Sequence, residues 1–185
     1  SCGESLNAEY AGILLGGGVS DTLILKSPTT SALDIKICEW LEKISGVSGS
    51  TLMEELLKVD APLAVKKASE VVNGDRKDYS EGKVNFALAQ VEETNLELLH
   101  QRKDELMQAM NDELEKKGLD FFGLLVTDAV RETSELLALG TPVIISNLPY
   151  SQVADDVFSL PGVLSRKKQL LPQLLSVIST LQHEL

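Results

Sequence analysis

The apolar positions change rhythm along the chain. Residues Tyr10 to Val19 form a mostly apolar stretch carrying Gly16-Gly17-Gly18; polar Ser20-Asp21-Thr22 and a short apolar run, Leu23-Ile24-Leu25, follow. At this length, periodicity does not separate a helix from a buried strand for the first run. Lys26-Ser27-Pro28-Thr29 breaks the pattern, because proline drives the preceding residue out of the α region. Helical spacing then becomes clear. Ser31-x-x-Asp34 is an N-terminal signal, and Ile37, Cys38, Leu41 and Ile44 recur on one face until Gly46. Thr51-x-x-Glu54 opens a second helix with Leu52, Leu56 and Leu57 on its buried side. Asp60 and Pro62 open a third that ends near Asn73-Gly74.

After Gly74 the period shortens. Lys83 to Val91 reads as a strand, followed by Thr94-x-x-Glu97 as the cap of one long helix with Leu96, Leu99, Leu106, Met110 and Leu114 in a stripe. That helix ends at Lys117-Gly118, with cations in its last turn. Phe121 to Val126 is almost wholly apolar, as expected for a strand buried on both faces. Val143-Ile144-Ile145 reads as another strand, Gln152 to Phe158 as a helical piece, and the residues after Pro172 as a final amphipathic helix. Strands alternating with helices give an expected α/β layered domain from about residue 75 to the end.

Composition narrows the function classes. The 185 residues carry a net charge of −11, with 43% hydrophobic, 24% charged and only 4% aromatic residues, so the expected core is aliphatic. A pI near 4.6 argues against nucleic-acid binding, which needs a basic surface to release counterions. No apolar run approaches the roughly 20 residues of a membrane-spanning helix, and no basic-then-apolar leader is present. Two cysteines, Cys2 and Cys38, make no disulfide framework or zinc cluster and fit a reducing, cytoplasmic setting.

Against this acidic background, Ser165-Arg166-Lys167-Lys168 stands out, between the turn Leu160-Pro161-Gly162 and the last helix. Three consecutive cations repel one another. They suit an anion such as phosphate, through a planar guanidinium fork and ammonium point charges, with backbone amides at a helix start adding to the pull. The alternative is a solvated surface turn. Asp75-Arg76-Lys77-Asp78-Tyr79 reads by itself as a polar loop. Asp21, read as ending a buried strand, fits a metal ligand or a structural turn equally well. Thr127-Asp128 either faces a cleft or caps the following segment, and Asp155-Asp156 faces water in or beside a helix. His100 and His183 have no partner at metal-binding spacing, and the three glycines match no nucleotide fingerprint.

Taken in order, these clusters resemble the manganese-dependent (family II) inorganic pyrophosphatases of the DHH superfamily. Val19-Ser20-Asp21-Thr22 through Lys26-Ser27-Pro28-Thr29 resembles the segment that closes their catalytic domain. Asp75-x-Lys77-x-Tyr79, Lys83-Val84 and Ala89-Gln90-Val91-Glu92 are similar to the start of their DHHA2 domain. Leu125-Val126-Thr127-Asp128 with Ser134-Glu135-Leu136-Leu137 fits its middle, and Leu160-Pro161-Gly162 through Gln169 its SRKK segment.

The resemblance implies a mixed β-sheet flanked by helices over 75–185, a helical linker over 31–74 and the tail of a DHH domain over 1–30. It implies that Arg166 and Lys167 bind the electrophilic phosphate of pyrophosphate, with Lys77 opposite and Ser165 and Lys168 beside them, and that Asp21 is one ligand of a metal pair. Mn²⁺, or Co²⁺ or Mg²⁺, would be the cofactor of a homodimeric parent. The chain departs from that family in containing no Asp-His-His, so it reads as a C-terminal portion. By itself it is expected to bind no metal stably, to grip phosphate or pyrophosphate weakly, and to hydrolyse negligibly. The alternatives are an exopolyphosphatase of the same superfamily or a non-catalytic phosphate-binding module.

Overall fold

The computed structural model describes residues 6–59, 62–128 and 130–181; Cys2, Asp60 and His183 lie outside the described residues, as does the side chain of Leu57. The chain divides into two compact units, Ser1–Asp60 and Ala61–Leu185.

The first unit is helical. The ambiguous first run is a helix, α1 (Ala8–Asp21), started by Asn7, whose side chain accepts the Tyr10 amide at 2.8 Å. α1 packs through Ala11, Leu15 and Val19 against α2 (Ala32–Ser45), which buries Cys38 and Leu41, and against α3 (Gly49–Val59), which buries Met53. α2 starts with the expected Ser31/Asp34 capping box and stops at Gly46 in the left-handed region. α3 corrects the expected face, since Met53 is buried whereas Leu56 is exposed. Leu23-Ile24-Leu25 is neither strand nor helix. All three residues have positive φ (49°, 55° and 63°), a costly conformation for side chains with a Cβ. Thr22 holds that turn. Its hydroxyl donates to the Gly18 carbonyl at 2.7 Å and accepts the Leu25 amide at 3.1 Å.

The second unit is a six-stranded sheet, in the order β1 (Arg76–Glu81), β2 (Val84–Glu92), β3 (Phe121–Asp128), β4 (Thr133–Gly140), β6 (Val157–Pro161) and β5 (Ser151–Ala154). β2 and β3 run parallel and every other pair is antiparallel, which makes the sheet mixed. Phe86, Leu88, Phe121, Leu125 and Leu136 point to one face, under α8 (Pro142–Ser146) and α9 (Leu171–Leu181). Ala87, Ala89, Phe122, Leu124 and Val126 point to the other. That face is covered by α4 (Pro62–Val65), α5 (Ala68–Gly74), α6 (Glu97–Gln101) and α7 (Lys103–Lys117). α4 and α5 fall within the expected 31–74 linker, yet Leu63, Val71 and Val72 are buried in this second cluster.

Several sequence expectations are corrected here. The polar segment 75–79 is largely edge strand β1, turning into β2 through Gly82 (φ 61°) and Lys83. The long helix breaks at Arg102, whose guanidinium donates to the carbonyls of Leu63 (2.5 Å) and Lys66 (2.9 Å), and Thr94 does not cap it. Val143-Ile144-Ile145 is the short helix α8 with Pro142 at its first position. Gln152 to Phe158 is a hairpin, with Asp155 and Asp156 in its turn and Asp156 at φ 61°.

The end of β4 depends on one glycine. Gly140 has φ 143°, and a Cβ there would lie 2.3 Å from the Asp120 carbonyl oxygen and 2.7 Å from the Phe121 Cα. Both obstacles are backbone and cannot rotate away. Gly140→Ala should therefore destabilise the protein by on the order of 3 kcal/mol. The urea-unfolding midpoint measures this, and a wild-type midpoint would contradict the packing described.

Candidate functional site

The parallel pair ends β2 at Glu92 and β3 at Asp128 on the same edge of the sheet, the position from which open α/β sheets present their binding loops. Three polar side chains stand there on the α9 face. Gln90 donates through Nε2 to Thr127 Oγ1 at 3.2 Å, and the Thr127 and Ser134 hydroxyls are hydrogen-bonded to each other at 3.1 Å. Thr127 and Ser134 are fully buried. Their remaining capacity goes to the segment leading into α9: Gln90 Nε2 donates to the Leu164 carbonyl at 3.2 Å, and Ser134 Oγ to that of Val163 at 2.5 Å.

That segment continues as a π-helical turn, Arg166–Leu170, a geometry frequent at functional sites. Most of the amides in and just before this turn are already occupied. Gln169 Oε1 accepts those of Leu164 (2.8 Å) and Ser165 (3.0 Å), Gln90 Oε1 accepts that of Arg166 (3.0 Å), and Ser165 Oγ accepts that of Lys168 (3.3 Å). The expected contribution of helix-start amides to anion binding is therefore largely spent internally. The attraction this turn offers an anion rests on its side-chain cations.

Those cations are not equivalent. Arg166 is 9% exposed, whereas Lys167 and Lys168 face solvent. Arg166 Nη1 donates to the carbonyls of Asp75 and, at 3.4 Å, Leu88; Nη2 donates to Asp75 Oδ1 at 3.1 Å. Its Nε is buried without a hydrogen-bond partner among the described residues. Leu88 is the register partner of Lys77, so the guanidinium docks on the β1–β2 rungs from which exposed Lys77 projects, on the same sheet face. Residues separated by about ninety positions are thus brought together.

The opposite face of β1 holds this strand in place. Arg76 lies over the Phe122 ring at 4.9 Å and bonds Glu113 of α7 at 2.8 Å and Asp78 at 2.7 Å. Lys117 reaches Asp78 at 2.8 Å. Burial pushes the Asp78 carboxyl up, but the hydrogen bonds and charges of Lys117 and Arg76 together hold it below its ordinary value.

The family model for the DHHA2 domain matches residues 54–177. The chain belongs to the DHHA2 domain family. A cobalt-dependent inorganic pyrophosphatase of Clostridium perfringens is 38% identical over 93% of this chain and 32% of its own length. A probable manganese-dependent inorganic pyrophosphatase of Lactococcus lactis is 37% identical over 90% of this chain and 53% of its own. The crystal structure of a putative family II inorganic pyrophosphatase of Methanococcus jannaschii superposes with a TM-score of 0.77 at 29% identity, covering 97% of this chain and 58% of that one. The resemblance read from the SDT, KSPT and SRKK segments and the expected α/β class with a mixed sheet are borne out. The chain spans between about a third and three fifths of the length of these relatives.

The remaining candidates separate. Asp21 is the exposed last residue of helix α1, not the end of a strand. Among the described residues, no group of three or more His, Cys, Asp or Glu side chains is placed to hold a metal ion. Of the two readings of Thr127-Asp128, the structure supports the cap for Asp128, which is buried, accepts the Arg131 amide at 2.8 Å and pairs with its guanidinium at 2.7 Å. His100 Nε2 lies 2.8 Å from Glu135 Oε2. Sequence reasoning missed Gln90 and Ser134. The available signal for Gln90 was an amide in the period-2 series Phe86, Leu88, Gln90 of a buried strand.

Two predictions follow from the burial pattern. Arg166→Lys gives up a planar fork on several acceptors and should cost about 1–2 kcal/mol in denaturant unfolding, while exposed Lys167→Ala should stay within about 0.5 kcal/mol. Equal effects would refute the distinction. Asp78 has a lowered folded pKa, so its stabilisation is complete above its unfolded pKa of roughly 4 and disappears as pH falls through the folded value. Asp78→Asn should flatten the decline of the unfolding midpoint below about pH 4, and an unchanged slope would argue against the Arg76–Asp78–Lys117 arrangement.

Proposed function

We propose that this chain is the substrate-gripping part of a manganese- or cobalt-dependent inorganic pyrophosphatase, which hydrolyses pyrophosphate to two phosphates in the cytoplasm. The observation that supports the reading is the convergence of Lys77 and the SRKK turn on one pair of β1–β2 strand rungs. In this reading Lys77, Lys167 and Lys168 meet the anion from solvent, Ser165 fixes the turn, and Arg166 reaches it by exchanging Asp75 for phosphate oxygens. Arg166 and Lys167 act on the electrophilic phosphate. Their part in catalysis is to neutralise charge that develops on the phosphoryl oxygens.

The names of the relatives support manganese or cobalt dependence for the whole enzyme, with Mg²⁺ as a further candidate. The residues described here do not make a metal site. Asp21 would contribute one carboxylate, and divalent ions of this kind require several ligands. A DHH domain is the proposed source of the rest. α1 and α2 leave Tyr10, Ile13, Leu14, Leu33 and Trp40 more than half exposed, an apolar surface suited to burial by such a domain. A homodimeric parent belongs to the same proposal.

Calorimetric titration of the full chain with pyrophosphate, with and without Mn²⁺, tests the gripping role. Weak binding is expected, weakened by about tenfold or more in Lys167→Ala and in Arg166→Ala, since each removes a charge-assisted contact. Binding that survives both substitutions, or no binding at about millimolar pyrophosphate, would overturn it.

A further inference from the structure

From the geometry we infer that Gln90 is a positioning residue for the phosphate grip: it fixes where Arg166 stands at both the backbone and the guanidinium. The inference rests on the reading that the SRKK turn grips phosphate.

The Gln90 amide has no idle atom. Oε1 accepts the Arg166 N–H at 3.0 Å, while Nε2 donates to the Leu164 carbonyl and to Thr127 Oγ1, both at 3.2 Å. It therefore holds the backbone on both sides of Ser165, using the two donor hydrogens and the acceptor oxygen of one carboxamide. The Gln90 backbone N–H donates to the Asp75 carbonyl at 3.0 Å, and Arg166 Nη1 donates to that same carbonyl. Side chain and main chain of one residue thus close a ring around Arg166. The ring is anchored in β2, whose Leu88 and Ala89 are wholly buried, rather than in a loop. Thr127 fixes the amide's orientation by accepting one Nε2 hydrogen, and its hydroxyl is in turn hydrogen-bonded to Ser134. A grip is effective when its charged groups are held by packed elements and their supporting hydrogen bonds, because ordering them at the moment of binding would subtract from affinity.

Two substitutions separate positioning from bulk. Gln90→Met keeps the length and removes both hydrogen-bonding functions. Gln90→Glu keeps an acceptor for the Arg166 amide and loses the donor to Leu164 and Thr127. In amide hydrogen exchange on the full chain, Gln90→Met should speed exchange at Arg166 by about tenfold or more, with the Leu124 amide in β3 unchanged; Gln90→Glu should leave Arg166 protected. Pyrophosphate affinity by calorimetry should fall about three- to tenfold in Gln90→Met, the worth of one or two hydrogen bonds. Unchanged exchange at Arg166 in Gln90→Met overturns the inference. So does wild-type affinity in Gln90→Met where Arg166→Ala has lost it, an outcome that leaves the gripping role standing. If the wild-type chain binds no pyrophosphate, the proposed function falls, and exchange at Arg166 still decides the role of Gln90.

Discussion

Two parallel strands cannot be joined by a tight turn, and the pairing of β2 with β3 forces the chain through the crossover of residues 93–120 before it can re-enter the sheet. The crossover carries α6 and α7 onto one face, while α8 and α9 close the other, so all eight residues of β3 are buried. Parallel pairing also puts the carboxyl ends of both strands on one edge. The polar groups of Gln90, Thr127 and Ser134 reach that edge inside the protein, where an unpaired donor or acceptor costs on the order of 1–3 kcal/mol. The segment 163–166 supplies their partners. The same hydrogen bonds that satisfy the sheet edge therefore define the shape of the basic turn.

Charge is distributed along the same division. With a net charge of −11 the molecule as a whole does not attract phosphate, and long-range attraction is damped over about 8 Å at physiological ionic strength. Local arrangement has to do what net charge does not. A guanidinium as buried as that of Arg166 persists only with acceptors, and Asp75 supplies a carboxylate and a carbonyl. Lys167 and Lys168 beside it are exposed to solvent. Arginine at the buried position and lysines at the exposed ones follow from the weaker hydration and fixed fork of the guanidinium.

Local chemistry made part of this legible in the sequence. Ser31 with Asp34, Gly46 and Lys117-Gly118 mark helix ends through interactions made within a few residues. Phe121 to Val126 carries its own burial in its composition. Where the pattern misled, tertiary partners decided. β1 alternates Arg76 and Asp78 with Lys77 and Tyr79, and an edge strand with a charge on each face looks like a loop until its partners, Glu113 and Lys117 on one side and Phe86 on the other, are known. Val143 to Ile145 is too short for its period to be read, and Pro142 starts a helix there. The SRKK cations were legible as a group, but the burial of Arg166 was not, because its carboxylate partner lies 91 residues away.

The position of Arg166 sets the terms on which an anion can use it. The group is neither free nor sealed: its head is buried, yet the Asp75 side chain that holds it is 59% exposed. An anion that takes the Nη2 contact of Arg166 with Asp75 replaces a carboxylate oxygen with an oxygen of its own. The net gain is the difference between two charge-assisted contacts rather than the whole of one. In the proposed function, a dianionic or more highly charged phosphate would gain from that exchange and would draw on Lys77 and Lys167 at the same time. A singly charged carboxylate offers Arg166 little that Asp75 does not already provide. On the proposed reading the turn would discriminate by charge as well as by shape, because its arginine already has a partner.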